Sequence, residues 1–223
     1  MSFSNKKATF SAEGVRDYEK RRYRGLDQRI VHAREVKILG KIFKAMELTG
    51  LRAGAALDMP CGYGRFSRFL LDRGLRVVAC DLSFHMVKRA LEGMKKQEQP
   101  AAPVLGVVAD AKQGLPFLNN AFAVVFSIRF FHHVHDPRDR ENILAEFFRV
   151  SAGWAVVSFY RMNGLHLVQR RLRRWLKKSR TRIRMIEPGL FEKEAEAAGF
   201  SVLKVYPLLR GIHAQHIALL QKP

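Results

Sequence analysis

LDMPCGYGR, residues 57–65, connects a short apolar segment to a run of residues typical of a helix. The apolar segment has the length of a buried strand, and the helix is predicted to end at Gly74. Two glycines in such a turn let backbone N–H groups approach a ligand closely, and the helix start adds a partial positive charge. A strand that ends in an acid, Asp58, before a glycine turn is therefore typical of a nucleotide site. An ordinary strand–helix turn is the alternative, and the neighbouring segments decide between the two.

A second acid follows at the spacing that a nucleotide site requires. The strand predicted at 76–80 is followed by Asp81, nineteen residues after Gly62. In doubly wound sheets, an acid about 20 residues after the glycine turn accepts hydrogen bonds from ribose hydroxyls. Ser67 stands where a dinucleotide fingerprint has its third glycine. The pattern therefore favours a ligand with a ribose and a cation over a dinucleotide.

Strands and helices alternate along most of the chain, which predicts a parallel sheet with helices on both faces. Residues 11–48 are predicted to be helical. The predicted strands are 55–57, 76–80, 104–108, 123–127, 155–159, 201–206 and 215–221, the last two forming a closing hairpin. The predicted helices after the first strand are 65–73, 84–97 and 138–149, the last of these preceded by a helix-start turn at 135–137. We therefore expect an α/β, Rossmann-like, seven-stranded and mostly parallel sheet with a C-terminal antiparallel hairpin.

These segments together resemble the class I S-adenosylmethionine-dependent methyltransferases. Residues 57–65 are similar to the first motif of that family, Asp-x-Gly-x-Gly-x-Gly, with Pro60 at the first glycine. Further similarities follow in order: Asp81-Leu82-Ser83, Asp110, Leu115-Pro116-Phe117, Arg149-Val150, and the turn Ala198-Gly199-Phe200. The resemblance covers about residues 50–160 and 188–220 and is strongest to the subgroup of ubiquinone and menaquinone biosynthesis methyltransferases.

The resemblance implies a set of residues that bind S-adenosyl-L-methionine. Asp58 would orient the methionyl end, the glycines would admit the ligand, Asp81 would bind the ribose, and Ser127 would face the methionine. The full set is Asp58, Cys61, Gly62, Gly64, Asp81, Leu82, Asp110, Ala111 and Ser127. The chemistry implied needs no metal ion, and none is predicted.

The acceptor side is predicted from residues that follow the fourth strand. An oxygen or nitrogen acceptor can require a general base, and histidine has a suitable pKa. His132 and His133 are therefore the candidate catalytic residues, with helix packing as the other interpretation of His133. Arg129 lies on the same loop and is predicted to bind substrate or another anion.

Positive charge is concentrated in one segment. The chain carries a net charge of +20, and residues 161–184 contain ten basic and no acidic side chains. Apolar residues recur there at helical spacing, and Arg170, Arg171 and Arg174 are predicted to contact an anion. Three interpretations stay open: a solvated cap on the core, a helix on an anionic membrane surface, and a surface that grips RNA phosphates.

Length and composition predict residues 1–52 as a basic helical extension packed on a methyltransferase domain, 53–223, with a basic insertion at 161–187. No stretch of about 18 apolar residues is present. The polar N-terminus and the two cysteines, interpreted as reduced thiols, predict a cytoplasmic protein, or one at the inner face of a membrane. The expected function is methyl transfer to a small-molecule or lipid-like acceptor that is anionic or membrane-associated. The alternatives are an RNA methyltransferase and a non-catalytic cofactor-binding protein with a basic partner surface.

Overall fold

A computed structural model describes residues 13–15, 26–51, 54–95, 104–161, 185–210 and 213–223. Most of the predicted extension helix lies within α1, Leu26–Leu48. The other elements are β1 Ala55–Asp58, α2 Ser67–Leu71, β2 Arg76–Asp81, α3 Phe84–Lys95, β3 Leu105–Val108, β4 Phe122–Ser127, α4 Pro137–Val150, β5 Ser151–Tyr160, α5 Leu190–Ala197, β6 Ser201–Pro207 and β7 Gln215–Gln221. A short 3₁₀ turn, Phe131–His133, follows β4.

The seven strands form one sheet in the order β3-β2-β1-β4-β5-β7-β6. β1 to β5 are parallel to their neighbours, and β7 is antiparallel to both β5 and β6. The predicted mostly parallel sheet with a closing antiparallel hairpin is therefore confirmed. Because β7 lies between β5 and β6, β6 runs parallel to β5. β1 to β6 thus finish at the same end of the sheet, which we call the carboxyl edge, and β7 begins there.

Helices cover both faces of the sheet, as the alternating pattern predicted. Side chains alternate along β4, so that Val124 and Phe126 belong to one core cluster and Val125 to the other. The first cluster lies beneath α1, α2 and α3, and the second beneath α4 and α5. Because such a strand is buried on both faces, its sequence is nearly continuously apolar.

The boundaries of α2 and β5 differ from those predicted by two residues or more. The helix expected at 65–73 is shorter and spans Ser67–Leu71, because the glycine turn extends further into it. β5 begins at Ser151 rather than 155, directly after α4. The helix-start turn is confirmed: Asp136 precedes Pro137, and its Oδ1 accepts a hydrogen bond from the Arg138 N–H at 3.0 Å.

The predicted insertion at 161–187 falls almost entirely outside the described residues, as do Arg170, Arg171 and Arg174. Among the described parts of the chain, no helix is both long and apolar enough to cross a membrane.

α1 contributes Ile38, Leu39, Ile42, Phe43 and Met46 to the first core cluster. The helix is therefore packed on the sheet along its C-terminal half.

Candidate cofactor and acceptor site

The glycine loop after β1 lies at the carboxyl edge, next to the end of β2. Gly62 has φ +54°, and a Cβ added there would meet no atom within 4 Å. The backbone at Gly62 therefore faces open space. Hydrogen bonds from the Cys61 N–H to the Cys80 oxygen (2.8 Å) and from the Gly64 N–H to the Cys61 oxygen (3.0 Å) hold the loop. Pro60 replaces a motif glycine without removing either of these donors.

Gly64 has a different role from Gly62. Its φ is +85°, and a Cβ there would lie 2.9 Å from the Cα of Ala90 in α3. Such a contact is shorter than packed carbon atoms allow. The two motif glycines are thus separated by the structure: Gly62 leaves room for a ligand, and Gly64 lets the loop pack against α3.

Two carboxylates are buried beside this loop. Asp58, 2 % exposed, accepts a hydrogen bond from the Ser67 hydroxyl at 2.6 Å. Asp81, 7 % exposed, accepts from the backbone N–H of Gly62 (3.0 Å) through Oδ2 and from that of Ser83 (2.9 Å) through Oδ1. Asp81 therefore fixes the glycine loop to the end of β2. That contribution could not be read from the spacing of the two motifs.

Burial dominates the electrostatics of both acids. Desolvation, together with the nearby charge of Asp81, raises the pKa of Asp58 to about 7 although the Ser67 hydrogen bond opposes the shift. Desolvation also raises the pKa of Asp81, against the hydrogen bonds from Ser83, Gly62 and Leu82. Neither acid forms an ion pair within the described residues. A cationic ligand would relieve this uncompensated negative charge.

The remaining predicted cofactor residues surround the same region. Ser127 ends β4, is fully buried, and its hydroxyl oxygen has no hydrogen-bond partner among the described residues. Ala111 is buried, whereas Leu82 is 57 % exposed. Asp110 follows β3, and its Oδ1 accepts from the Lys112 N–H at 3.0 Å. Cys61 is buried, and desolvation raises the pKa of its thiol, so that it stays protonated.

The two candidate catalytic histidines lie in the 3₁₀ turn after β4. His132 is 7 % exposed, with its ring centroid 4.7 Å from that of Tyr160 in β5 and 3.9 Å from that of His133. His133 is exposed. The buried histidine against the sheet is therefore His132, while His133 faces solvent, which does not favour a packing role for it.

Arg129 is paired with an acid that the sequence interpretation overlooked. Its Nε donates to Glu35 Oε1 at 2.7 Å and its Nη2 to Glu35 Oε2 at 3.0 Å. Arg65 of the glycine loop donates to Glu35 Oε2 at 2.8 Å. Glu35 stands on the apolar face of α1, between Val31, Ile38 and Ile42 in the helical repeat. An acid within such an apolar stripe is the signal that could have identified it.

Glu146 and Arg149 of α4 form hydrogen bonds with the loop between β3 and β4. Glu146 Oε2 accepts from the Leu115 N–H at 2.6 Å, and Arg149 donates to the carbonyl oxygens of Leu115 (2.8 Å) and Phe117 (2.7 Å). Hydrogen bonding to Arg149 lowers the pKa of Glu146. These residues hold the loop between β3 and β4 and have a structural role.

The residues present fit S-adenosylmethionine. The ligand carries two positive charges, a ribose and a methionyl group, and the site offers two uncompensated carboxylates, open space at Gly62 and the buried hydroxyl of Ser127. The searched, described part of the chain contains no cluster of three or more His, Cys, Asp or Glu side chains that could hold a metal ion.

Comparison with known proteins gives the same result. Residues 56–152 match the family described as "Methyltransferase domain". The chain is 33 % identical over 118 residues to a malonyl-[acyl-carrier protein] O-methyltransferase of Hamiltonella defensa, covering 52 % of this chain and 42 % of that protein. It is 34 % identical over 95 residues to the demethylmenaquinone methyltransferase of Thermobifida fusca, covering 43 % of this chain and 38 % of that protein. The chain thus spans less than half the length of these curated relatives.

The fold also matches solved structures. Magnesium protoporphyrin IX methyltransferase from Synechocystis PCC 6803, crystallised with bound SAH, superimposes with a TM-score of 0.80 over 100 % of both chains at 15 % identity. At that identity the likeness shows the fold alone. The glycine loop and the two strand-end acids lie within the residues that match the methyltransferase domain, and the curated relatives are named as methyltransferases.

Proposed function

We propose that this protein transfers the methyl group of S-adenosylmethionine to a small-molecule or lipid-like acceptor that carries an anionic group. The observation that carries the proposal is the pair of buried, uncompensated carboxylates, Asp58 and Asp81, beside the open backbone at Gly62. The relatives support the acceptor class, since they are named for malonyl-[acyl-carrier protein] and demethylmenaquinone.

The protein's part in the reaction is to bind, orient and exclude water. S-adenosylmethionine supplies a methyl group that is already activated on a sulfonium. Asp58, ionised by a cationic ligand, would hold the methionyl ammonium, and Ser127 would supply its hydroxyl to the same end. Asp81 would accept hydrogen bonds from the ribose while its backbone partners keep it in place. Leu82, Asp110 and Ala111 would contact the adenine.

A proton acceptor is needed when the acceptor atom is protonated. His132 and His133 follow β4 and are the groups we assign to this task. The ring of His132 packs against the rings of Tyr160 and His133. A carboxylate acceptor would react without this step, since its oxygen is already deprotonated at neutral pH.

A basic groove on the α1 side of the carboxyl edge supports an anionic acceptor. It encloses a volume of about 450 Å³ between α1 and the end of β6. The groove is lined by Arg34, Lys37, Ile38, Lys41, Tyr206, Pro207 and Arg210. It contains four cations and no acid. Lys37, Lys41 and Arg210 form no ion pair within the described residues. An elongated acceptor could place its anionic part there and its reacting atom near β4.

The test is a methylation assay in a cell lysate with methyl-labelled S-adenosylmethionine, the label then being partitioned into lipid, RNA, protein and small-molecule fractions. We expect it in the lipid or small-molecule fraction. Label in RNA would favour the RNA methyltransferase alternative, and cofactor binding without transfer would favour the non-catalytic one. The variant Lys37→Glu/Lys41→Glu should reduce transfer. Lys88→Glu/Lys95→Glu, with the same charge change on α3, should not. Location in the cytoplasm or at a membrane surface stays a prediction.

A further inference from the structure

The side chain of Glu35 is fully buried between α1 and the carboxyl edge. Its two oxygens accept from Arg65 Nη2 at 2.8 Å, from Arg129 Nε at 2.7 Å and Nη2 at 3.0 Å, and from Gln215 Nε2 at 2.8 Å. These donors belong to three separate segments. A single carboxylate of α1 therefore joins the glycine loop, the loop after β4 and the start of β7.

Two of these segments adjoin the candidate site. Arg65 directly follows Gly64 in the glycine loop. Arg129 stands two residues after Ser127 and has φ +63°, a left-handed conformation that is rare for a residue with a side chain. Its backbone N–H donates to Ser158 Oγ in β5 at 2.7 Å. The ion pair with Glu35 and this hydrogen bond hold the loop after β4 in a conformation that it would not adopt alone.

Glu35 is not needed to attach α1 to the sheet, so its hydrogen bonds are better explained as fixing the loops that they reach. The C-terminal half of α1 is already attached through its apolar side chains, from Ile38 to Met46. The polar partners of Glu35 lie instead in the glycine loop, in the loop after β4 and at the start of β7. Arg65 is tied to α1 a second time, because its Nε donates to His32 Nδ1 at 3.2 Å. Burying a carboxylate is costly unless it is fully hydrogen-bonded, and charge-assisted pairs with two guanidiniums meet that requirement.

We propose that Glu35 is a positioning residue, through which docking of α1 sets the geometry of both the cofactor loop and the loop after β4. The proposal rests on the proposed function, since it concerns the binding of S-adenosylmethionine. Glu35 and Gln215 both lie outside residues 56–152, which match the methyltransferase family. The segment before the first strand is thus part of the cofactor-binding unit of this protein.

The experiment compares Glu35→Gln with Glu47→Gln, which makes the same charge change at an exposed site of the same helix. S-adenosylmethionine affinity is measured by calorimetry, well below the melting temperature of each variant. Hydrogen–deuterium exchange is followed in peptides covering 59–66 and 128–134. We expect Glu35→Gln to bind at least fivefold more weakly, with faster exchange in both peptides and unchanged exchange in 76–81. Glu47→Gln should match the wild type in both measurements.

The double variant Glu35→Gln/Arg129→Gln removes both partners of one ion pair and should recover part of the lost affinity. A folded Glu35→Gln that binds the cofactor as the wild type does overturns the proposal. If Glu35→Gln does not fold, Glu35→Asp keeps the charge on a shorter side chain and should show a smaller loss of affinity. If that variant also fails to fold, the role of Glu35 is structural and the proposal is wrong. A wild type that does not bind S-adenosylmethionine would instead refute the proposed function.

Discussion

Three buried carboxylates at the carboxyl edge differ in whether cationic side chains of the protein compensate their charge. Glu35 receives four hydrogen bonds from Arg65, Arg129 and Gln215, so its charge is compensated by the protein. Asp58 and Asp81 receive hydrogen bonds from a hydroxyl and from backbone N–H groups, with no ion pair among the described residues. The difference separates a carboxylate that is paired within the protein from two that the proposed function assigns to the ligand. The same separation applies to the glycines, where Gly64 faces α3 and Gly62 faces open space.

Replacing Gly64, which packs against α3, should give the largest effect on stability. Gly64→Ala places a methyl group against the Ala90 backbone and requires a left-handed residue with a side chain, so the free energy of unfolding should fall by about 2–4 kcal/mol. Gly62→Ala also requires a left-handed residue with a side chain, but its methyl group meets no neighbouring atom. Its free energy of unfolding should therefore fall by only about 1 kcal/mol. Urea unfolding of the two variants measures the difference. Equal losses would contradict the separate roles of the two glycines.

Asp81→Asn should weaken the binding of S-adenosylmethionine. An amide accepts through one atom only, so it cannot keep both backbone hydrogen bonds and also bind a ribose. S-adenosylmethionine affinity should fall by about 10- to 100-fold, the size expected for loss of charge-assisted hydrogen bonds. Calorimetry measures the affinity, and Asp72→Asn, which makes the same charge change at an exposed acid after α2, is the control. Unchanged affinity would remove the ribose contact from Asp81.

Asp58→Asn should stabilise the ligand-free protein in a pH-dependent way. Burial raises the pKa of Asp58 from 3.8 to about 7. Between these values the unfolded chain loses its proton while the folded protein keeps it, so the free energy of unfolding falls as the pH rises. Asparagine removes this penalty, and the variant should gain about 1–2 kcal/mol at pH 8. Thermal unfolding should show no such gain near pH 4, and cofactor affinity should fall. A gain independent of pH would refute this explanation.

Ser127→Ala should have the smallest effect on the ligand-free protein. The hydroxyl of Ser127 is buried without a partner in the described structure, so its removal should change the free energy of unfolding by less than about 1 kcal/mol. Ser158→Ala is the matched control, because Ser158 Oγ accepts from the Arg129 N–H and its loss should destabilise by about 1 kcal/mol. Calorimetry should then show weaker cofactor binding for Ser127→Ala. Greater destabilisation by Ser127→Ala than by Ser158→Ala would reverse the assignment.

Local patterns were sufficient for the order of strands and helices. Periodicity of apolar residues and the glycine loop are short-range signals, whereas the spatial order of the strands in the sheet was seen only in the structure. Asp58 and Asp81 were located because each directly follows a predicted strand, and Ser127 because it ends one and the family resemblance assigns that position to the cofactor. Arg129 was found in the same way, but its partner was not, since Glu35 lies 94 residues away in the chain.

The sequence by itself determined the fold class and the acids at the strand ends, because each of these depends on residue types at fixed short spacings, and its resemblance to the methyltransferases implied the methyl donor. Only the tertiary structure decided which charges are compensated. Two ion pairs and one hydrogen bond connect Glu35 of α1 to the glycine loop, the loop after β4 and β7, and they join residues 30, 94 and 180 positions apart. Such distances leave no periodic trace in a single sequence, and burial, which sets the pKa of Asp58, exists only once the chain has folded.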